Sequence, residues 1–318
     1  MRAALLPTPG DPFMLAYWLR NFETWRDQVD ELLVYVNGAK PEDAAYCREI
    51  IEAAGGKMHY TGWTAGHPEA LAWLVQNTQA DMVVLCEDDA YVRKPWAVNS
   101  AFRHIEDGLT DIVGSPRQED YAGQFEEWPP FDPNDVHELR RGLWPTFLFI
   151  RRADLLATGC DFAEYAGGIG MPIRGLGRNV TPEDVAYINV APDYIHLDTF
   201  WPATFMLRGR GLRIELVHHV RVYDPNAVDA WVEDDPPWFH VTNLSTLHEV
   251  LSGRLPTVDM DEHGGHWTRR MAWWVRTLDP SVPGYEQRVE QYASFIERSG
   301  MRVEDLRTWQ QRFDRWVA

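Results

Sequence analysis

"DMVVLCEDDAYV" spans residues 81–92 and decides how the chain is read. Five apolar residues, Met82 to Cys86, run straight into three carboxylates, Glu87, Asp88 and Asp89. A short apolar run bounded by charge reads as a buried strand. Carboxylates side by side at its end repel one another, and burial makes each ionised group costly unless it is paired or bound to a metal. The triplet asks for a positive partner.

Outward from this strand, the first 115 residues alternate strand and helix. Upstream, "AALLP" is a short strand, and Asp11-Pro12 supplies an N-cap and a first-turn proline. Met14, Trp18, Phe22, Trp25 and Val29 follow as one helical stripe. "ELLVYVNG" (31–38) is a strand ended by Asn-Gly. A helix over 41–54 is opened by Pro41 and stopped by Gly55-Gly56. "KMHYTG" is a third strand, and Pro68 opens the next helix. Downstream, "VNSAFRHIEDG" is a helix and "DIVGS" (111–115) a strand. Strands this apolar, separated by single helices, predict a mostly parallel α/β sheet flanked by helices. Ligands of such sheets sit beyond the carboxyl ends of the strands. Pro7–Asp11, Asn37-Gly38 and Glu87–Asp89 should therefore converge on one crevice.

The second half is less regular. Residues 116–145 are rich in Pro, Asp, Glu and Trp, the composition of a functional loop or lid. "TFLFIRRADLLATG" returns to strand and helix. "YAGGIGMPIRGLGRNVTPED" reads as a glycine-dense loop, in which Gly167, Gly168 and Gly170 suit close backbone approach to a ligand or a mobile loop. "LDTFWPATFMLRGRG" predicts a helix and "LRIELVHHVRVYD" (212–224) one long strand. A helical tail follows, with stripes at Val289, Tyr292 and Ile296 and at Leu306, Trp309, Phe313 and Trp316. These helices offer a surface for packing on the main domain or pairing two copies of the chain.

The chain has 318 residues, 45% of them hydrophobic and 25% charged, with a formal net charge of −18. That argues against a uniform nucleic-acid footprint. Cys47, Cys86 and Cys160 form no CxxC pair, which predicts neither a disulfide framework nor a zinc knuckle and points to a reducing compartment. No apolar run suits a signal peptide or a membrane span, so the expectation is a cytoplasmic protein.

Glu87 and Asp89 are hard oxygen ligands at alternate positions, and alternation on an extended backbone puts both side chains on one side. Such a pair suits Mg²⁺ or Mn²⁺ with positions open to diphosphate oxygens. An ordinary acidic turn after a strand is the competing explanation.

"VVLCEDDAYV" resembles the DxD-type motif of GT-A fold, family 2-like glycosyltransferases, with Glu in place of the first Asp. "LWPTFLFIRRADLLATG" and the stretch from 198 to about 240 extend the resemblance; the helices after about 260 lie outside it. It implies residues 1–115 as the nucleotide-sugar-binding half of one domain, 116–258 as its acceptor half, and 259–318 as a C-terminal helical extension. It implies a metal-dependent, inverting transfer from a nucleotide sugar, expected to be UDP-linked, using Mn²⁺ or Mg²⁺. Pro7, Thr8 and Asp11 would border base and ribose, Asn37 would stand at the base, and Asp88 would touch ribose or donor sugar. Glu87 and Asp89 would hold the metal with a later residue: His240, with His218, His219 and Asp224 as rivals. The general base would be Asp198 in "HLDTFWPATFMLRGRG", with Glu183 and Asp184 of "TPEDVAYI" as competitors. Trp201 would floor the acceptor site or pack in the core.

The acceptor stays open: a glycan, a protein side chain or a hydroxylated DNA base. DNA gains weight only if Arg140, Arg141, Arg151, Arg152, Arg174 and Arg178 line one groove. A nucleotidyltransferase and a non-catalytic sugar-binding protein compete with the transferase. The first would carry a Gly- and Lys/Arg-rich phosphate loop, and "LLPTPGD" has one glycine and no base.

Overall fold

The computed structural model describes residues 1–117, 128–217, 220–221, 236–240 and 277–298. Its centre is a seven-stranded sheet in the order β10-β6-β7-β4-β1-β2-β3. The strands are β1 (Arg2–Thr8), β2 (Glu31–Asn37), β3 (Lys57–Thr61), β4 (Met82–Leu85), β6 (Ile112–Gly114), β7 (Leu148–Arg151) and β10 (Ile214–Leu216). β7 alone runs against its neighbours β4 and β6; the other pairs are parallel. This is the expected mixed, mostly parallel sheet, and it takes strands from both halves of the chain.

The helices fall where proline and glycine place them. α1 (Pro12–Glu23), α2 (Pro41–Ala53), α3 (His67–Asn77) and α4 (Pro95–Glu106) each carry proline in the first turn. α5 (Arg152–Leu156), α6 (Pro182–Ile188) and α7 (Trp201–Gly209) follow, and α8 (Tyr285–Arg298) is the described part of the tail. The stripe of Met14, Trp18 and Phe22 is fully buried on α1; Trp25 and Val29 continue it past the helix end. One core lies on each face of the sheet: Trp18, Phe22, Trp25, Phe102 and Phe149 on one, Leu71, Leu74, Leu148, Phe162 and Phe200 on the other.

Two features open the crevice. β4 pairs with β1 only as far as Leu5↔Leu85, whereas β2 follows β1 to Thr8↔Val36. Pro7, two residues beyond Leu5, has no N–H to offer on the side that β4 has already left, so proline is tolerated inside a central strand. Gly10 then turns the chain with φ of 76°, and a Cβ there would meet Ala39 Cβ at 2.6 Å. The β1–α1 and β2–α2 turns can touch only because that position is glycine.

Two expectations are corrected. Residues 212–224 do not form one strand: β10 ends at Leu216, and β11 (Val220–Arg221) joins a second sheet of order β11-β12-β5. The glycine-dense segment begins as a strand, β8 (Tyr165–Gly168), in a hairpin with β9 (Tyr194–Leu197). Gly167 and Gly168 therefore sit in a ladder; Gly170 turns beyond it with φ of 87°. His218, His219, Asp224, Leu306, Trp309, Phe313, Trp316 and the side chain of Ile296 lie outside the described residues; on α8 Tyr292 is buried. Among the described residues, no helix is long and apolar enough to cross a membrane.

Candidate metal and transfer site

The carboxylates turn rather than run extended. Ala90 N–H donates to the Glu87 carbonyl at 3.1 Å, closing a turn before β5 (Ala90–Val92). The turn still sends Glu87 and Asp89 to one place and Asp88 to another. β5 pairs antiparallel with β12 (Trp238–His240), with His240 opposite Ala90. That register sets His240 beside the acids. Its Nε2 is 3.0 Å from Asp89 Oδ1 and 3.4 Å from Glu87 Oε2. One ligand atom from each of the three residues lies within 4.8 Å of the others.

β12 is held by its own aromatic residues. Trp238 Nε1–H donates to Ser115 Oγ at 3.1 Å, and its ring packs on Phe147 and Phe149. Sequence reasoning missed Thr146 and His67 here. Thr146 donates its hydroxyl to Glu87 and precedes Phe147, which is held at φ of 48°, a conformation that costs a bulky residue about 1–3 kcal/mol and clusters at functional sites. His67, at the start of α3, places Nε2 3.6 Å from the other Glu87 oxygen. The one clue in sequence was its position just beyond a parallel strand.

Among the described residues, no lysine or arginine lies within ion-pair distance of Glu87, Asp88 or Asp89. Asp88 is buried, and its carboxyl is pushed well above the usual range by burial and then by the neighbouring Asp89 charge; a 2.6 Å hydrogen bond from Thr8 Oγ1 works against this. The Thr8–Asp88 contact brings the ends of β1 and β4 together, as expected. The donor set fits a divalent cation: two carboxylates and an imidazole converge, and among the described residues no lysine or arginine pairs with the carboxylates.

Other expected site residues are engaged by the protein itself. Asp11 accepts from Phe13 N–H and Met14 N–H as the cap of α1, and its second oxygen is 2.6 Å from Arg288 of α8. Asn37 exchanges two 2.6 Å hydrogen bonds with the Ala65 backbone, so its amide closes the β3–α3 loop. Pro7 is buried within β1.

Asp198 follows β9 and is half-exposed. It is not the cap of α7: that position is Phe200, at φ of 74°. One Asp198 oxygen accepts from Thr199 N–H at 2.7 Å and the other pairs with Arg117. Asp184 is buried in a capping box with Thr181 and held by both Arg178 amino groups. Burial raises its carboxyl, but Arg178 and Thr181 outweigh that and hold it below the usual range. Glu183 is exposed on the same turn. Trp201 is core: it is buried and donates Nε1–H to the Leu139 carbonyl. A Cβ at Gly142 would lie 2.5 Å from its ring.

Each of the six arginines is engaged within the protein. Arg141 pairs with Asp135 and Glu138, Arg151 with Asp111, Arg174 with Asp161 and Arg178 with Asp184. Arg140 donates to the Tyr187 carbonyl and lies over its ring, and Arg152 donates to the carbonyls of Val75 and Gln76. A cavity of about 790 Å³ opens elsewhere, between Trp128–Phe131 and the edge strand β10, and holds none of the metal or carboxylate candidates.

No family model matches the sequence, and no curated protein matches it. Several solved structures are similar in backbone. The mannosyltransferase PcManGT from Pyrobaculum calidifontis, solved with GDP-Man and Mn²⁺, is 12% identical over 99% of this chain and 84% of its own, with a TM-score of 0.47. S. aureus TarS 1–349, solved with UDP-GlcNAc, is 11% identical over 99% and 91%, with a TM-score of 0.41. Glucosyl-3-phosphoglycerate synthase from Mycobacterium tuberculosis, solved with Mn²⁺, UDP and glucosyl-3-phosphoglycerate, is 17% identical over 49% and 58%, with a TM-score of 0.34. These are similarities of backbone shape between chains whose sequences have little in common.

Proposed function

We propose that the protein is a metal-dependent, inverting glycosyltransferase that uses a nucleotide sugar. The observation that carries this reading is the convergence of Glu87, Asp89 and His240 beyond the carboxyl ends of parallel strands, where among the described residues no lysine or arginine pairs with the two carboxylates. Glu87, Asp89 and His240 would hold Mn²⁺ or Mg²⁺, the imidazole favouring Mn²⁺. A divalent ion held there would stabilise negative charge gathering on a diphosphate leaving group. Thr146 orients Glu87 by donating to it, and Thr8 fixes Asp88 at the donor edge. Asp198 takes the proton of the attacking hydroxyl as the new bond to the anomeric carbon forms and the bond to the diphosphate breaks. Asp198 is preferred to Asp184 because its carboxylate is half-exposed and open to an acceptor, whereas that of Asp184 is buried under both Arg178 amino groups. Because the six arginines are engaged internally, the acceptor is an uncharged hydroxyl compound, a glycan or protein side chain, rather than DNA. UDP-linked sugars are the donors to try first.

Thermal unfolding with UDP, GDP and their sugars, each with and without Mn²⁺, tests this reading. A ligand bound only by the folded chain at 100 times its Kd stabilises it by about 2.7 kcal/mol. Stabilisation by one nucleotide only when Mn²⁺ is present is the expected result. No response to any nucleotide with metal overturns the proposal. Metal-dependent binding without hydrolysis of any nucleotide sugar assigns a binding protein instead.

A further inference from the structure

Arg117 stands at the joint between the metal candidates and Asp198. We infer that it is a positioning residue, which fixes the Asp198 carboxylate and ties it to the metal side of the site. The inference rests on Asp198 being the base.

Arg117 is buried, yet it reaches a half-exposed carboxylate. Its guanidinium carbon lies 3.8 Å from the centroid of the Trp144 ring and 5.3 Å from that of Trp201. One amino group donates to the Thr199 carbonyl at 2.8 Å, and the other meets Asp198. Thr199 N–H holds the second Asp198 oxygen. The carboxylate is thus gripped through both oxygens, and the grip includes the backbone that follows it. Phe200, in the left-handed region, fixes the turn. A guanidinium suits this place because a planar cation stacks on aromatic faces while its edge donates in a fixed fork.

The other side of Trp144 completes the link. Its ring meets His240 edge-on, with centroids 5.1 Å apart and planes at 77°. Arg117 and Trp144 are themselves joined by backbone pairing beyond β6. Arg117 N–H donates to the Gly142 carbonyl at 2.8 Å, and Trp144 N–H to that of Ser115 at 3.0 Å. A continuous row of contacts, His240, Trp144, Arg117, Asp198, therefore runs from the metal candidates to the base. A general base must sit within hydrogen-bond reach of the proton it removes. The row sets where Asp198 stands relative to the leaving group without touching donor or acceptor.

The test is a double-mutant cycle on the full chain, reading Mn²⁺-dependent UDP release from the UDP-sugar that the wild type hydrolyses fastest. Arg117→Gln is expected to lower kcat about tenfold or more, with KM and the calorimetric Kd for UDP with Mn²⁺ within about twofold of wild type. Asp198→Asn is expected to lose about 10²- to 10⁴-fold. Adding Arg117→Gln to Asp198→Asn should then change nothing further, because a positioning residue has no effect once the group it holds is gone. Arg117→Lys, which keeps the charge without the planar fork, should recover only part of the rate.

Additive losses overturn the inference, as does weakened UDP binding in Arg117→Gln; both would place Arg117 on the ligand. An unaltered kcat overturns it alone and leaves the proposed function standing. If Arg117→Gln fails to fold, the lysine variant carries the same cycle. A wild type that neither binds UDP or GDP with Mn²⁺ nor hydrolyses their sugars overturns the proposed function and this inference together.

Discussion

Two regions of the molecule treat charge in opposite ways. Beyond β4, Glu87, Asp88 and Asp89 crowd together with the imidazoles of His240 and His67 and the hydroxyls of Thr146 and Thr8. In the second half, Arg141, Arg151, Arg174 and Arg178 each meet a carboxylate, and Arg140 and Arg152 are taken up by carbonyls. A folded chain neutralises its own charges where they serve stability. Where it leaves like charges together in a buried place, a proton or a bound cation has to relieve them. On the proposed function the acids near β4 serve a bound ion, while the arginines serve the chain itself.

Asp89 should break or confirm this contrast most sharply. Asp89→Asn is expected to weaken Mn²⁺ binding by at least roughly 100-fold, the upper end of what even an outer partner of a metal ligand is worth. Its effect on the metal-free protein should have the opposite sign. Removing one of three adjacent charges relieves repulsion, so the variant should unfold at the same or a higher temperature than wild type without metal. Titration calorimetry with Mn²⁺ and thermal unfolding without it give the two halves of the result. A variant destabilised without metal and unaltered in Mn²⁺ affinity would make the triplet an ordinary structural turn.

His240 tests the same region at smaller amplitude. His240→Gln should weaken Mn²⁺ binding about 10- to 100-fold and shift preference toward Mg²⁺, since an oxygen ligand replaces an imidazole. Competition between the two metals, followed by Mn²⁺ paramagnetic resonance, reads this directly.

The sequence shows some of this arrangement and hides the rest. The alternation of apolar runs with proline- and glycine-bounded helices makes the parallel sheet legible, because strands buried on both faces must be apolar throughout. Glu87 and Asp89 are legible because three adjacent acids after such a run have few explanations. The β5–β12 pairing is not: three-residue strands have no period to read, and only tertiary pairing brings residue 240 opposite residue 90. Thr146, Trp144 and Arg117 are hidden for the same reason, being delivered by ladders between distant segments. Asp11 and Asn37 carry two readings at once, and the cap read for Asp11 is the one the structure shows. A polar side chain at a strand end reads as a ligand contact, but the cap of α1 and the Ala65 backbone need the same atoms. Residues 212–224 carry strand character throughout, and nothing in a two-residue alternation says that the chain will change sheets.

Asp184 probes the self-neutralised region. Asp184→Ala should destabilise the protein by about 3 kcal/mol at neutral pH, because it strands Arg178 and removes the Asp184 half of the capping box of α6. Its carboxyl is held below the ordinary range in the folded state, so the folded chain binds fewer protons than the unfolded one there. The Asp184 contribution is therefore present above the ordinary carboxylate pKa near 3.8 and is lost as pH falls through the lowered value. The gap between wild type and variant, measured by urea unfolding, should narrow below about pH 4 and be unchanged between pH 6 and 8. A constant gap at all pH values would mean that the loss is one of packing, not charge.

Arg152 carries the smallest expected effect and the clearest bearing on the acceptor. Its guanidinium donates to the carbonyls of Val75 and Gln76 in the last turn of α3, where a cation also favours the helix dipole. Arg152→Gln should lower stability by about 1 kcal/mol and leave Mn²⁺ and nucleotide binding as they were. It should also leave retention on a heparin column unchanged, because a guanidinium already bound to two carbonyls has little left to offer a polyanion. Loss of retention at unaltered stability would mean that the arginine serves a ligand after all. The contrast between the two regions would then fail on its arginine side, and a polyanionic acceptor such as DNA would regain the ground that the internal pairing of these six residues denies it.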